Sequence, residues 1–518
     1  MRLFLDVECY PNYFLIVFKT EDYRVKSFTL DENNTFDKNR VLKLLSSCET
    51  IGFNSRSYDI PMILKACDIT HSSESNGILK NLSDELINSD TYHVLTKHDI
   101  WTPKTYNHID IINVIPDKAS LKMYGARIHT EFLQDLPYDP SKILTNEEKI
   151  EVEKYCVNDV NITIDLYKKI EKEIEIRKRL TIEHGIDLKS KSDAQIAESL
   201  FRNKLKIYKP DLSSFEFKYE KPEFLKFNNE ELLELENKVN SVTFKGIAGD
   251  KIKKDEISTK FTVNNKEYKL GIGGLHSTEN AIYHIINEDE FLIDIDVTSY
   301  YPSIILNNKI CPQNIGDNFF KIYNTWYEER IEAKLSKNEN LSWVLKIILN
   351  GAFGKFNSKY SILYCPKSLI QTTLTGQLSL IMLIEQLEEN GFSVISANTD
   401  GMTVKGLKNK YDLFKRITKN WEIKTNFKLE EVSYKSIFIQ SVNNYIAIKE
   451  DNSLKLKGIF ANNNLSKNPT IEVCKKAILN YIRDKIDVED TIYSEEINPC
   501  NFIKVRKVKD GGYYKGRY

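Results

Sequence analysis

The chain has 518 residues, of which 41% are hydrophobic and 28% charged, with a net charge of −1. That length exceeds what one hydrophobic core supports and implies roughly two to four domains. The composition is that of a soluble globular chain, no apolar run approaches the roughly 18 residues that span a bilayer, and Asp6 comes too early for a signal peptide, so a cytoplasmic protein with no membrane partner is expected. A near-zero net charge neither favours nor excludes a nucleic-acid partner, because local patches decide that. The cysteines are scattered, with no two at metal-ligand spacing, which is the pattern of buried reduced thiols.

Arg2 to Glu8 reads as a buried strand carrying Asp6 and Glu8 on one face, since side chains two apart in a strand point the same way. Two like charges side by side are costly unless a cation lies between them. Thr50 to Asn54 is a second short strand, leading to Asp59. Tyr155 and Asp159 stand four apart in a helical pattern, on one helix face. From about Asp165 to Leu205 the chain is charge-rich and reads as a solvated connecting helix, and Pro210 to Val242 reads as linker without clear strands. Gly271, Gly273 and Gly274 follow within one short stretch, where glycine suits a passing nucleic-acid backbone and a tight hairpin equally.

The apolar run Phe291 to Ile293 enters Asp294-Ile295-Asp296-Val297-Thr298-Ser299-Tyr300-Tyr301-Pro302-Ser303. A strand that ends in acid before a polar and aromatic turn presents a carboxylate suited to holding a hard cation over a substrate. Helices are expected over Phe319 to Leu335 and Leu341 to Phe353, which set Arg330 with Lys334, and Lys346 with Asn350, one turn apart. Cations on facing sides of two antiparallel helices make a phosphate clamp. Leu374 to Leu387 reads as an amphipathic core helix, and Ser393 to Val404 as two strands around an Asp400-Gly401 turn. Asn443 to Ile448 and Leu454 to Gly458 form another hairpin, with Lys455 and Lys457 on one strand face. Lys504 to Tyr518 interleaves basic and aromatic residues, a duplex-backbone footprint.

In this order the motifs resemble those of family B DNA polymerases of phage type. Asp296 to Ser303 resembles the first palm motif, Lys346 to Gly354 the fingers motif with Gly351 and Phe353 in place of Ser and Tyr, and Asn398-Thr399-Asp400 the third motif with Asn398 in place of its first Asp. Asp6 with Glu8, Asp59, and Tyr155 with Asp159 resemble the three motifs of a DEDDy 3′→5′ proofreading exonuclease, and Ser120 and Leu121 its single-strand contact pair. The resemblance implies a mixed α/β and α+β multidomain fold. An RNase H-like exonuclease domain (1–180) and connecting helices (181–245) would precede a right-hand polymerase of palm (246–309 and 357–457), fingers (310–356) and a short or truncated thumb (458–518).

It further implies polymerisation at Asp296 and Asp400, and exonuclease chemistry at Asp6, Glu8, Asp59, Tyr155 and Asp159. Two Mg²⁺ ions per site, with Mn²⁺ as a substitute, would be held by Asp296, Val297 and Asp400 in one module and by Asp6, Glu8, Asp59 and Asp159 in the other. Tyr301, Arg330, Lys334, Lys346 and Asn350 would bind the incoming dNTP, and Gly273, Gly274, Tyr445, Lys455 and Lys457 the DNA primer-template. A processivity factor, helicase or single-strand binding protein is an expected partner, in the cytoplasm of a phage-infected host.

Asn350 follows Asp296 by 54 positions and precedes Asp400 by 50, which leaves no room for the insertions that the resemblance associates with protein priming. An ordinary nucleic-acid primer is therefore expected. Asn398 is tolerable if the first acid only shapes the turn, and lowers activity if that acid carries a metal. Two rival readings follow: an exonuclease with an impaired polymerase half, and a DNA-binding replication accessory without chemistry.

Overall fold

Apolar residues around Asp6 and Glu8 make the strand β1 (Arg2–Tyr10), and the wholly buried β2 (Tyr13–Lys19) pairs with it antiparallel. The computed structural model describes every residue except 206, 208–209, 211–213, 248–251, 253–256, 462–463, 495–497 and 509–518; the end of the expected basic tail and thumb thus lies outside the described residues. The chain is a mixed α/β protein that divides into two compact units. One comprises Met1–Ser192, Asn463–Cys474 and Ser494–Tyr518, the other Asp193–Asn462 and Lys475–Tyr493. No helix among the described residues is long and apolar enough to cross a membrane.

The first unit adds β3 (Val25–Leu30), α1 (Lys38–Ser47), β4 (Glu49–Gly52), α2 (Asp59–Asp68), α3 (Ser75–Asn88), α4 (Thr91–Lys97), β5 (His108–Asp110), α5 (Leu121–Ile128), α6 (Asn146–Lys169) and α7 (Glu171–His184). Its sheet runs β3-β2-β1-β4-β5, antiparallel through β3, β2 and β1 and parallel from β1 through β5. One face of the sheet is covered by α1, α2 and α3 and the other by α6, through two separate apolar clusters. A capping box fixes the start of α6: Thr145 accepts from the Glu148 amide while Glu148 accepts from the Thr145 amide.

The second unit comprises α8 (Asp193–Leu205), β6 (Ser214–Lys218), α9 (Glu230–Ser241), β7 (Thr243–Ile247), β8 (Thr259–Val263), β9 (Lys266–Leu270), β10 (His276–Ser277), β11 (Ile282–Ile285), β12 (Glu290–Val297), α10 (Tyr300–Asn307), α11 (Asp317–Leu335), α12 (Glu339–Lys355), α13 (Pro366–Glu389), β13 (Ser393–Asn398), β14 (Gly401–Leu407), α14 (Tyr411–Thr425), β15 (Leu429–Ser441), β16 (Asn444–Lys449) and β17 (Leu454–Leu456). The large sheet runs β17-β16-β15-β12-β14-β13-β10-β9-β8, with β11 also on β15. In this order the acid-bearing β12 is flanked by β14 and β15.

Three expectations change. The charged run after Asp165 is not one connecting helix: α6 ends at Lys169, α7 ends at His184 before Gly185, whose φ of 65° stops a helix, and α8 begins at Asp193. The stretch expected to lack strands contains β6, which pairs with β7 across a stack of Phe217 on Phe244. Alternation in Ser214–Lys218 carried that signal, with Phe215 and Phe217 spaced two apart. Finally, α13 is buried almost all round instead of amphipathic; its Thr372, Thr375 and Ser379 reach solvent-free positions by sharing hydrogen bonds, mostly with carbonyls one turn back.

Two candidate acidic sites

In the first unit Asp6 and Glu8 extend from β1, Asp59 opens α2, and Tyr155 and Asp159 lie one turn apart on α6. The structure brings all five together. Burial first, and then the charge of Asp159, pushes the Asp6 carboxyl up to about 7. Glu8 and Asp59 are held well above the usual carboxylate range by burial and by Asp6. One carboxyl oxygen of Asp59, Oδ1, is buried without a hydrogen-bond partner among the described residues. Lys122 of α5 is paired with Asp159 and its Nζ also stands 4.0 Å over the ring of Tyr155, whose hydroxyl donates to Asp159.

An open cavity of about 680 Å³ adjoins these acids, lined by Asp6, Glu8, Asp59 and Asp159 with Ser120 and Leu121. Ser120 also caps α5 by accepting from the Met123 amide, so it serves the helix whatever else it does. The loop before α2 is held by Asp110, whose carboxylate accepts from the Asn54, Arg56 and Ile112 amides and fixes Asn54 at φ 59°, a left-handed conformation that asparagine tolerates. The orphaned oxygen of Asp59 and the all-carboxylate donor set fit hard divalent cations, which take oxygen ligands and offset the like charges.

In the second unit Asp294 and Asp296 project from one side of β12. Asp294 is fully engaged: Lys455 Nζ donates to Oδ2 at 2.6 Å, Tyr434 Oη to Oδ2 at 2.9 Å, and Thr403 Oγ1 to Oδ1 at 2.8 Å. Asp296 receives Lys455 Nζ at 3.3 Å, and its side chain is 45% exposed. Its carboxyl is raised by burial and by Asp294, with Lys455 opposing; Asp400 is raised by burial, with Lys457 opposing. Sequence reasoning passed over Asp294, Tyr434 and Thr403. The two-residue spacing of Asp294 and Asp296, the same as that of Asp6 and Glu8, was the available signal for the first of them.

Asp400 reaches Asp296 because β14 comes very close to β12. A Cβ on Gly401 would stand 2.1 Å from Asp296 Oδ1, so only glycine fits, and the Val297 amide donates to the Asp400 carbonyl at 2.7 Å. The turn itself is bent by Thr399 at φ 48°. Asn398 belongs to that turn's scaffold: its amide donates to Asn443 Oδ1, its Oδ1 accepts from Thr399 Oγ1 at 2.9 Å, and it hydrogen-bonds His276. Gly274 packs on the same turn, with no space for a Cβ beside Thr399, whereas Gly273 lies open.

Tyr301 stacks on Phe353 of α12 with ring centroids 4.3 Å apart, and its hydroxyl is pushed up to about 12 by burial and Asp400. Ser299, at φ 51°, receives the buried Arg330, whose Nε has no hydrogen-bond partner among the described residues, and Lys334 pairs with Glu430 at 2.8 Å. These two cations thus have protein partners, while Lys346 and Asn350 stand exposed one turn apart on α12. Gly351 answers to packing: a Cβ there would meet the Asp193 carbonyl oxygen at 2.7 Å, where α12 crosses the start of α8. Tyr445 hydrogen-bonds Lys455, and Lys457 follows β17 with its amide on the Tyr445 carbonyl at 3.0 Å.

No family model matches the chain and no curated protein sequence matches it. Among solved structures, a family B DNA polymerase from the hyperthermophilic archaeon Pyrobaculum calidifontis is similar at a TM-score of 0.46 and 14% identity, over 93% of this chain and 62% of that one. The chain therefore spans less than two thirds of that structure's length.

Proposed function

We propose that the chain is a DNA-directed DNA polymerase of family B and phage type, with a 3′→5′ exonuclease in its first unit. The observation that carries this reading is the assembly of three separate motifs at one place: Asp296 and Asp400 adjoin across β12 and β14, and Tyr301, five residues after Asp296, stacks on Phe353 of the helix bearing Lys346 and Asn350. In this reading the second unit is a right-hand polymerase and the first, with its β3-β2-β1-β4-β5 sheet, an RNase H-like nuclease.

The polymerase residues act on a primer 3′-OH that attacks the α-phosphate of a dNTP, forming the new phosphodiester while pyrophosphate leaves. Asp296, Val297 and Asp400 hold Mg²⁺, which supplies charge neutralisation at the reacting phosphate. Tyr301 lies under the incoming sugar and excludes a 2′-hydroxyl, backed by Phe353. Exposed Lys346 takes the triphosphate and Asn350 faces the nascent pair. Arg330 holds the turn at Ser299 from behind. Lys455 keeps Asp294 neutralised and Asp296 oriented, and with Lys457, Tyr445 and Gly273 borders the primer-template.

In the first unit Asp6, Glu8, Asp59 and Asp159 hold metal, and Tyr155, tied to Asp159, orients the water that attacks the terminal phosphodiester. The short intervals around Asn350 favour a nucleic-acid primer, with a processivity factor, helicase or single-strand binding protein as partner. The network around Asn398 favours polymerisation over the rival reading of an exonuclease with an impaired second half, because the amide fills a scaffold position in the turn.

Extension of a 5′-labelled DNA primer on a DNA template with Mg²⁺ tests both halves. Extension with dNTPs, lost in Asp400→Ala, and shortening without dNTPs, lost in Asp6→Ala, are the expected results. Shortening without any extension by the unaltered chain would replace this reading with the exonuclease alone.

A further inference from the structure

The acid cluster of the first unit contains a donor that a hard-cation site does not use. Cys156, beside Tyr155 on α6, is fully buried, and its Sγ lies 3.9 Å from Asp6 Oδ2. One ligand atom each from Asp6, Glu8 and Cys156 falls within 4.8 Å of the others. Metal bonds of about 2.0–2.3 Å to oxygen and sulfur place tetrahedral ligands roughly 3.6 Å apart, so small side-chain rotations would close a shell around one ion. Independently, Asp59, only 4% exposed and in contact with Asp6, leaves its Oδ1 without a partner among the described residues, which is the mark of a carboxylate awaiting a cation.

Mg²⁺ draws on oxygens alone, whereas ions of the zinc class combine thiolate with carboxylate. We infer that Asp6, Glu8 and Cys156 form a mixed carboxylate and thiolate site for a thiophilic divalent ion of the Zn²⁺ and Cd²⁺ class. The inference rests on reading these acids as metal ligands and extends it to the sulfur. Binding forms a sulfur–metal bond and releases the thiol proton to solvent, with no change of oxidation state. Such an ion competes with Mg²⁺ for Asp6 and Glu8 while gaining a bond that Mg²⁺ does not make.

The test is a Cd²⁺ titration of the full chain, followed by the ultraviolet sulfur-to-cadmium charge-transfer band. The cysteines that are not buried, Cys67, Cys311, Cys474 and Cys500, are first changed to serine to remove background. In that background the band is expected, and adding Cys156→Ser or Asp6→Asn is expected to weaken Cd²⁺ binding at least about tenfold. Mg²⁺ binding is expected to survive Cys156→Ser. Asp6→Asn keeps the buried thiol in place, so it remains informative if the Cys156 variant misfolds. A band that persists unchanged in either variant overturns the inference. Mg²⁺-dependent shortening without a Cd²⁺ band also overturns it while leaving the nuclease reading intact; a band without shortening supports the metal site and removes the nuclease reading.

Discussion

Both units place two acids, two residues apart, on a central strand, and they resolve the resulting repulsion in opposite ways. On β12, Asp294 is neutralised within the protein by Lys455 and hydrogen-bonded by Tyr434 and Thr403, while Asp296 meets the same lysine at the longer distance of 3.3 Å. On β1, neither Asp6 nor Glu8 has a paired cation among the described residues; nearby Lys122 pairs with Asp159, and the Asp6 and Glu8 carboxyls are pushed upward. The same strand pattern thus yields one site that carries its own counter-charge and one that leaves the charge for a bound cation to supply.

The largest effects should fall on activity. Asp296→Asn is expected to reduce primer extension by about three orders of magnitude, the loss typical of removing one electrostatic stabiliser, while leaving shortening unchanged. Asp59→Asn should do the reverse. Rate measurements on a labelled primer check both, and loss of both activities in either variant would break the comparison.

Lys455→Met should cost about 3 kcal/mol of stability, because Asp294 then stays buried without its cation, and denaturant unfolding measures it. Lys122→Met should cost less, because Asp159 can take a proton or a metal instead. Equal losses would mean that the first unit depends on its lysine as much as the second does.

A smaller effect separates the units by pH. Asp6 titrates near 7 in the folded chain against an ordinary value of 3.8, so its folded state binds more protons in between, and its contribution to stability is lost as pH rises through that window. Mg²⁺ favours the ionised carboxyl, so the rise in Tm on adding Mg²⁺ should be greater above pH 7 than below it. A rise that does not depend on pH would remove the contrast. Asn398→Ala should have the smallest effect, about 1 kcal/mol of stability from lost hydrogen bonds with extension reduced only modestly. Loss of extension as severe as that of Asp296→Asn would give this position a metal-binding duty.

Much of the arrangement was legible because the residues concerned sit in elements with strong local signals. Alternation placed Asp6 and Glu8 on one face of β1, helical spacing placed Tyr155 with Asp159, and the Asp400-Gly401 turn marked the hairpin of β13 and β14. What escaped was long-range. Lys122 and Cys156 carry no sequence sign of their proximity to acids on β1 and α2, and cysteine spacing alone pointed away from any metal role for Cys156.

The sequence by itself determined which strands and helices carry the acids, since periodicity and turn chemistry act over a few residues. Only the tertiary structure decided which acids are spent internally and which stay available. Asp294 and Asp296 look alike in the chain, and Arg330 and Lys334 look like two surface cations; their difference arises when β17 brings Lys455 to Asp294, and when packing turns Arg330 inward to Ser299 while Lys334 meets Glu430. Charge pairing depends on distance in space, which short-range sequence patterns do not encode.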